Sequence, residues 1–368
     1  MAGTVVRRGQ RGPAVAEVRD RLSRLGLVAA DPAPLRDPDQ ALFDDTVDAA
    51  VRHFQQQRGI TVDGIVGPQT FRRLEEARWR LGDRILSYAP GHLVSGDDVA
   101  GLQRRLADLG FDCGRVDGVF GPLTDASLRE FQRGVGVDPD GTCGPATFKA
   151  LDRLSRTVVG GEPDALRQAV ALQDLRTGVR DKVVVLDPGH GGEDPGHHGH
   201  GLIEAVVVDE IAARVEGRLQ AIGTQVLLTR ARTGEVDAVM DEAARAHFAN
   251  DTGADLVLSL HVDAAPNPAA HGVATFYFGD GLGRAYSVLG RTAAELVQDE
   301  LVGRTDLLDC RSHAKSWDLL RLTRMPAVRL ECGYVSHPGD AQRLADPGFV
   351  DAVAEGVAAA VVRFFAPQ

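Results

Sequence analysis

Two histidines and two glutamates in the C-terminal half of the chain have the residue types of a catalytic metal site. They are His190 in the segment Asp-Pro-Gly-His-Gly-Gly, Glu204, His261 after Ser-Leu, and Glu331 after an apolar run. Zinc binds imidazole nitrogens and carboxylate oxygens, and catalytic zinc sites use three protein ligands and leave one position for water. We therefore predict His190, Glu204 and His261 as zinc ligands. Glu331 is then the group that takes a proton from water and delivers it to a leaving amine.

Apolar segments of strand length surround these four residues. They are the β-branched or leucine-rich runs 183–186, 225–229, 255–260 and 327–330. Near-continuous apolar strands are typical of a sheet that is covered on both faces. Apolar residues recur at helical spacing over 207–222, between the first two runs. This order predicts a β-α-β unit with parallel strands.

The predicted sheet brings the four candidate residues to one edge. His190 follows the first strand, and His261 and Glu331 end the third and fourth predicted strands. Glu204 begins the first helix, which starts at the same edge. Ligands of such sheets bind beyond the carboxyl ends of the strands. The sequence thus predicts an α/β domain with a mostly parallel sheet, helices on both faces and a metal site at that edge.

A second group of histidines offers a competing ligand set. His197, His198 and His200 lie in a loop between Gly196 and Gly201. Histidine-rich tracts bind metals adventitiously. We favour a solvated loop, because glycine on both sides gives no rigid preorganisation. Replacing all three histidines with alanine should then leave one bound zinc.

The same segments resemble the zinc N-acetylmuramoyl-L-alanine amidases of the amidase 3 type over residues 182–366. The shared motifs are Asp187–Gly192 with Asp194–Gly196, Glu204, Leu228–Arg230, Arg245, Asn250, Ser259–His261 and Glu331–Ser336. The resemblance implies that His190, Glu204 and His261 hold zinc and that Glu331 is catalytic. It also implies cleavage of the amide that joins the muramic acid lactyl group to L-alanine. The chain departs from the family pattern at Val262-Asp263, where Ala-Asn is usual, and at His337, where Asn is usual.

The N-terminal half contains an internal repeat. Phe54-Gln55, Asp63-Gly64 and 67–71 recur at one fixed offset as Phe131-Gln132, Asp140-Gly141 and 144–148. A constant offset indicates duplication and not shared composition. Apolar residues stand at helical spacing in each copy, and Pro68 and Pro145 suit the first position of a third helix. Each copy is therefore predicted to be a small all-α three-helix module.

These modules resemble the type 1 peptidoglycan-binding domain over residues 8–80 and 92–156, and residues 157–181 are predicted to be a linker. The first module departs from the family pattern by an insertion at 31–34 and by Gln40-Ala41 in place of Asp117-Gly118. The resemblance implies binding to peptidoglycan. Few aromatic side chains are available to stack on sugars, so a packing or protein-interaction role is the alternative.

The composition excludes some partners and leads to an expectation about location. The net charge of -11 argues against nucleic acid, which needs concentrated Lys and Arg. No run is apolar enough to span a membrane. Residues 1–10 lack the apolar core of a secretory signal, so we expect a cytoplasmic protein, with export by an unrecognised route as the alternative. The four cysteines lack zinc-knuckle spacing, and we expect free buried thiols.

Two hypotheses of function follow. The chain resembles an actinobacterial group of this family. The likeness lies in the two modules, in the lack of a secretory signal in residues 1–10 and in the segment 309–326. That resemblance implies a cytoplasmic regulator, phosphorylated by a Ser/Thr kinase, that activates the transferase of peptidoglycan precursor synthesis. The other hypothesis is a zinc amidase that acts on peptidoglycan or muropeptides. Glu331 favours the amidase, because a purely structural metal site needs no fourth carboxylate.

Overall fold

The structure, a computed structural model, describes residues 5–29, 38–155, 163–231, 240–281, 283 and 285–367. The chain divides into two units. The first unit contains both sequence repeats (Met1–Arg167 with Asp280–Ala285), and the second contains the α/β domain (Gln168–Gly279 with Tyr286–Gln368). Our predictions for residues 1–4, for the insertion at 31–34 and for residues 157–162 of the linker lie outside the described residues.

The first unit is mostly helical. Its elements are α1 (Pro13–Arg24), a 3₁₀ turn (Pro38–Gln40), α2 (Asp45–Arg58), α3 (Pro68–Glu76), β1 (Leu86–Ser87), α4 (Asp97–Asp108), α5 (Pro122–Val135), β2 (Thr142–Cys143) and α6 (Pro145–Ser155). Each repeat thus has its three predicted helices. β1, which precedes the second predicted module, pairs antiparallel with β2 inside that module, and the all-α prediction missed this pair.

A buried glutamine holds the loop that begins the third helix of each repeat. Gln55 Nε2 on α2 donates to Asp63 Oδ1 at 2.8 Å and to Thr70 Oγ1 at 3.2 Å, and its Oε1 accepts the Gly64 N–H at 2.9 Å. Gln132 makes the equivalent bonds in the second repeat. The repeated Asp-Gly and Thr are therefore the partners of one repeated glutamine. A buried amide needs such partners to offset its desolvation.

A second buried glutamine holds a loop of the second repeat in the same way. In the first repeat an arginine takes its place. Gln103 on α4 donates to Asp117 Oδ1 at 2.8 Å and to Thr124 Oγ1 at 3.2 Å, ahead of α5. At the matching place in the first repeat, Arg19 on α1 donates to Leu42 O at 3.2 Å and to Asp44 Oδ2 at 3.0 Å. The departure at residues 40–41 is thus accompanied by a different side chain that holds the same loop.

The second unit begins within the helix α7 (Pro163–Leu175). Its elements are β3 (Val183–Pro188), β4 (His198–Gly199), β5 (Leu202–Ile203), α8 (Glu204–Ala221), β6 (Gln225–Leu228), α9 (Glu242–Asp251), β7 (Leu256–Asp263), β8 (Val273–Phe278), α10 (Val288–Arg304), β9 (Asp309–Lys315), α11 (Asp318–Leu322), β10 (Ala327–Tyr334), α12 (Pro338–Leu344) and α13 (Pro347–Phe365). No helix among the described residues is both long enough and apolar enough to cross a membrane.

Six strands form the central sheet in the order β6-β3-β7-β10-β8-β9. The four predicted strands pair in parallel, β8 runs antiparallel to β10, and β9 runs parallel to β8. Val184 and Leu186 pack into one hydrophobic cluster, and Val185 packs into the other. Alternate side chains of a strand point to opposite faces, so both faces are covered. The predicted mostly parallel sheet with helices on both faces is confirmed, and β8 and β9 were missed.

Two strands run further than predicted. β7 continues past His261 to Asp263, and β10 continues past Glu331 to Tyr334. His261 and Glu331 are register partners, and Glu331 also pairs with Ala274 of β8. The prediction that these two residues end their strands was wrong, because a polar residue at a ladder position does not interrupt backbone pairing.

The predicted linker is partly structured. It contains α7, and Leu172, Leu175 and Val179 pack against the core of the second unit. The described part of the predicted linker therefore contributes apolar side chains to the α/β domain.

The cysteines are free thiols. Cys113, Cys143 and Cys332 are buried, as expected, whereas Cys310 is half-buried. Burial raises the pKa of the Cys332 thiol far above its usual range, so this neighbour of Glu331 stays protonated.

Candidate metal centre

His190 lies in a tightly held loop just after β3. Its φ of 59° is in the left-handed region, which is unusual for a residue with a side chain. Arg245 donates to Pro188 O at 3.0 Å and to His190 O at 2.8 Å, and Arg230 donates to Pro188 O at 3.0 Å. The Nδ1 atom of His190 lies 2.7 Å from Asp194 Oδ2. Two arginines thus fix the backbone, and a carboxylate fixes the ring.

Asp187 anchors the loop that carries His190. Its Oδ1 accepts hydrogen bonds from Arg245 Nη1 and Thr229 Oγ1, both at 2.6 Å, and its Oδ2 accepts one from Ser259 Oγ at 2.6 Å. Asp187 is buried, which opposes ionisation, but Arg245 and the two hydroxyl groups hold its pKa below the usual value. The network explains why polar residues stand in these otherwise apolar segments: they satisfy one buried charge.

Glu204 is the first residue of α8 and is almost fully buried. Its Oε1 lies 2.9 Å from His261 Nδ1 and accepts the Val262 N–H at 3.1 Å. Its Oε2 lies 3.1 Å from His190 Nε2 and accepts the His197 N–H at 2.9 Å. Burial alone would raise the pKa of this carboxyl, but the hydrogen bonds with both histidines and the backbone donors lower it strongly. Glu204 is therefore an ionised carboxylate.

His261 lies inside β7 and is buried. Burial and the charge of Arg329 lower the pKa of its imidazole to about 4. The ring is therefore neutral at pH 7, as a metal ligand must be. A side chain on Gly189 would collide with this ring, and a Cβ on Gly196, whose φ is +67°, would lie 2.7 Å from Glu204 Oε2. Glycine at these two positions allows the loop to approach the candidate ligands closely.

The structure brings the three predicted ligands together. One ligand atom from each of His190, Glu204 and His261 lies within 4.8 Å of the others. No other group of three such residues meets this criterion among the described residues. Two imidazoles and one carboxylate are a donor set that suits zinc. Asp194 on the other nitrogen of His190 is the outer partner that metal-binding histidines usually have.

The histidine tract forms a hairpin and not the loop we predicted. His198 lies in β4, which pairs with β5, and His200 has a φ of 50° in the turn between them. His197 donates its backbone N–H to Glu204, and its Nε2 is 4.0 Å from Asp263 Oδ1. None of the three histidines belongs to the group described above.

Glu331 lies beside this group on β10. Its Oε1 accepts a hydrogen bond from Arg329 Nε at 2.8 Å. Its Oε2 is buried, and no described residue donates a hydrogen bond to it. Burial raises the pKa of Glu331 to about 7, against the attraction of Arg329. A carboxyl with this pKa and one free oxygen can accept and return a proton at neutral pH.

Arg329 and its partners were not predicted from the sequence. Arg329 also donates to Glu242 Oε1 at 3.2 Å, and its guanidinium lies 4.6 Å from the ring centre of Trp317. The sequence did indicate this contact. An arginine in an apolar strand needs a buried partner, and residue 331 points to the same face as residue 329.

The two departures from the family pattern have definite structural roles. The Val262 side chain is buried, and the charge of Asp263 is one of the influences that raise the pKa of Glu331. His337 precedes α12, and its Nδ1 accepts the Asp340 N–H at 3.2 Å. Its ring also stacks on His271 at 4.7 Å. His337 therefore caps a helix, whereas Asp263 changes the charge beside Glu331.

Comparison with known proteins finds related families for both parts of the chain. The sequence profile of the N-acetylmuramoyl-L-alanine amidase family matches residues 184–363, and that of a peptidoglycan binding domain matches residues 11–74 and 95–151. The N-acetylmuramoyl-L-alanine amidase CwlM of Mycobacterium tuberculosis is 44% identical over 370 residues, which cover 99% of this chain and 90% of that protein.

Other similar proteins match the C-terminal half. The germination-specific N-acetylmuramoyl-L-alanine amidase of Bacillus subtilis is 31% identical over 197 residues, which cover 50% of this chain and 80% of that protein. Among solved structures, the amidase AmiC2 of Nostoc punctiforme is 28% identical, with a TM-score of 0.45. The match covers 50% of this chain and 96% of that one.

Proposed function

Because the chain belongs to the N-acetylmuramoyl-L-alanine amidase family, we propose that it is a zinc-dependent enzyme that acts on peptidoglycan or muropeptides. The bond cleaved is the amide between the muramic acid lactyl group and L-alanine. The observation that carries the proposal is the convergence of His190, Glu204 and His261 within 4.8 Å of one another, beside a buried Glu331 oxygen to which no described residue donates a hydrogen bond.

The residues present fit zinc. His190, Glu204 and His261 would hold it, since one histidine is oriented by Asp194 and the other is kept neutral by burial. Zinc, when bound there, would lower the pKa of a coordinated water to roughly 7 and polarise the substrate carbonyl.

Glu331 carries the proton in the proposed reaction. Its Oε2 takes a proton from the attacking water as the water oxygen bonds to the lactyl carbonyl carbon. It then returns the proton to the alanine nitrogen as the carbon–nitrogen bond breaks. The products are a free muramic acid carboxyl group and a stem peptide with a new amino terminus.

The test uses the purified, zinc-loaded protein with peptidoglycan and with soluble muropeptides. We expect stem peptides that carry a new alanine amine, and a loss of about 100-fold or more in Glu331→Ala. His198→Ala is the matched control, because its side chain lies outside the ligand group. Wild type and Glu331→Ala giving the same null result on both substrates would refute the proposal.

The division of roles has its own test. His190→Ala or His261→Ala should lower the zinc content sharply, whereas Glu331→Ala should keep one zinc per chain. The measurement is elemental analysis after gel filtration. Loss of zinc from Glu331→Ala would make that residue a ligand.

We propose that the N-terminal modules bind peptidoglycan and bring the polymer to the enzyme. The support is the match of both repeats to a peptidoglycan binding domain. Inactive Glu331→Ala protein should sediment with insoluble peptidoglycan. If it stays in the supernatant, the packing or protein-interaction role is favoured.

A regulatory role is the second proposal. It rests on the resemblance of the two modules and of the segment 309–326 described above, and the 44% identity to CwlM along 99% of the chain is consistent with it. The predicted partners are a precursor-synthesis transferase and a Ser/Thr kinase, and the predicted location is the cytoplasm. A purified transferase whose activity is unchanged by the phosphorylated protein would argue against this role, and cell fractionation would test the location.

A further inference from the structure

We propose that Arg329 is a positioning residue for the proposed reaction: it holds one oxygen of Glu331 so that only the other can exchange the proton. This inference rests on the proposed function, because it presumes that Glu331 carries the proton. The supporting evidence is the hydrogen bonding of both side chains and the way Arg329 itself is held.

The two side chains share one face of a strand that is fixed on both sides. Arg329 and Glu331 are two residues apart on β10, so they point the same way. Backbone pairing sets their places: Arg329 is opposite Ser259 and Phe276, and Glu331 is opposite His261 and Ala274. The spacing between guanidinium and carboxylate therefore depends on side-chain torsions and not on a mobile backbone.

The hydrogen bonding divides the two oxygens of Glu331. Nε and Nη2 of Arg329 both lie 2.8 Å from Oε1, whereas Oε2 has no donor among the described residues. Turning the carboxylate would break two charge-assisted contacts, which are the strong class of hydrogen bond. Oε1 is already hydrogen-bonded to Arg329, so Oε2 is the oxygen that can take a proton.

Arg329 is itself held at two further points. Nη1 donates to Oε1 of Glu242, the first residue of α9, at 3.2 Å. Trp317 lies against the guanidinium with the ring centre 4.6 Å away, and Trp317 packs on Phe276 at 4.8 Å. A cation over an indole ring is attracted to it and has few other orientations. Glu331, Glu242 and Trp317 thus fix one guanidinium.

This arrangement uses the shape of arginine and not only its charge. Two nitrogens meet one oxygen of Glu331 while the third reaches Glu242. A lysine ammonium is a point charge on a flexible stem and cannot reproduce that fork. The proposal therefore predicts that lysine at position 329 restores the charge but only part of the rate.

The experiment compares Arg329→Met and Arg329→Lys in the full, zinc-loaded chain. We expect kcat to fall about 100-fold in Arg329→Met, the loss that a 1 Å misplacement can cause, with KM changed by less than about two-fold. Arg329→Lys should recover part of that loss, to about ten-fold below wild type. Zinc should stay at one per chain in both.

Controls separate positioning from damage to the fold. Arg291→Met removes an exposed arginine that pairs with Glu295, and it should leave kcat and KM unchanged. If Arg329→Met does not fold, Arg329→Lys carries the test alone. Wild-type kcat in either variant, or a loss of rate that comes entirely from zinc loss or a higher KM, would overturn the inference.

A crystal structure of each variant distinguishes this inference from the proposed function. If wild type is as inactive as Glu331→Gln, the proposed function fails whatever happens at position 329. The position of the Glu331 carboxylate in the crystal structures then decides whether Arg329 holds it. A carboxylate that shifts or takes several rotamers in Arg329→Met supports it, and an unmoved carboxylate overturns it.

Discussion

Asp194 offers a sharp test of the proposed metal centre, because its side chain touches the site without being a ligand. The side chain accepts two hydrogen bonds, one involving His190 Nδ1 at 2.7 Å and one from the Gly196 N–H at 3.0 Å. The backbone of Asp194 is bonded to Gly191 in both directions, at 2.8 and 3.1 Å. Asp194→Ala therefore removes the carboxylate and leaves the backbone of the loop bridged as before.

The size of the effect follows from what the carboxylate does. It holds the proton on Nδ1, so that Nε2, which lies 3.1 Å from Glu204 Oε2, keeps its lone pair for the metal. Loss of such an outer partner typically lowers metal affinity by 10 to 100-fold, or about 1.4 to 2.8 kcal/mol. The Asp194 side chain is 46% exposed, so water can partly replace it. We expect the lower part of that range, a loss of about 10 to 30-fold.

The assay is competition for zinc with a chelator of known affinity. A proton on His190 competes with the metal: burial lowers the pKa of this histidine, but hydrogen bonds with Glu204 and Asp194 outweigh burial and raise it. Removing Asp194 weakens that competition, so affinities are compared at the alkaline end of a pH series. Asp194→Asn keeps one acceptor oxygen for two donors, so its loss of affinity should lie between those of wild type and Asp194→Ala.

Two results would refute the reasoning. Asp194→Ala could bind zinc as tightly as wild type, which would mean that the carboxylate does not orient a ligand. It could also lose affinity only in proportion to a lower unfolding midpoint of the metal-free protein. That result would make Asp194 a stabiliser of the loop and not a partner of the metal.

Three further predictions concern stability and pH. Arg245→Met should lower the free energy of unfolding by about 3 to 5 kcal/mol in denaturant titrations, because it leaves Asp187 as an unpaired buried charge; the exposed Arg291→Met should cost less than about 1 kcal/mol. The specificity constant kcat/KM should fall as the pH drops below about 7. Burial raises the pKa of Glu331 to about 7, and only the ionised form of Glu331 accepts the proton. A pH–rate profile that is flat from pH 5 to 8 would contradict this. Gln132→Ala should cost about 1 to 3 kcal/mol in thermal unfolding of the first unit, since it leaves buried partners unsatisfied.

The buried strands could be predicted from the sequence, and the edge of the sheet could not. β3 and β7 are covered on both faces, so their apolar runs are nearly continuous. β9 lies at the edge and reads Asp-Cys-Arg-Ser-His-Ala-Lys, with no buried residue. Its apolar signal is absent because β9 is the last strand of the described sheet and none of its side chains is fully buried. β8 escaped prediction because it enters the sheet antiparallel, outside the β-α-β pattern.

The first repeat shows a second limit of sequence reasoning. Comparison of the two copies identified Gln40-Ala41 as a departure from Asp117-Gly118, and it gave no reason to inspect α1. In the structure, Arg19 of α1 reaches Leu42 and Asp44 of the altered loop. Compensation between distant positions needs a spatial contact, and a single sequence contains no information on which positions touch.

The roles of the two glutamates show what geometry adds to residue type. By type alone, Glu204 and Glu331 are interchangeable as ligand or base. Glu204 is contacted on both oxygens by histidines and backbone N–H groups, so its pKa is strongly lowered and it stays anionic. Glu331 is buried, one of its oxygens accepts no hydrogen bond from any described residue, and burial raises its pKa to about 7. Two carboxylates whose environments push their pKa values apart have different chemical tasks. The permanently charged one suits a cation, and the one that titrates near neutrality suits proton transfer, which supports Glu204 as ligand and Glu331 as base.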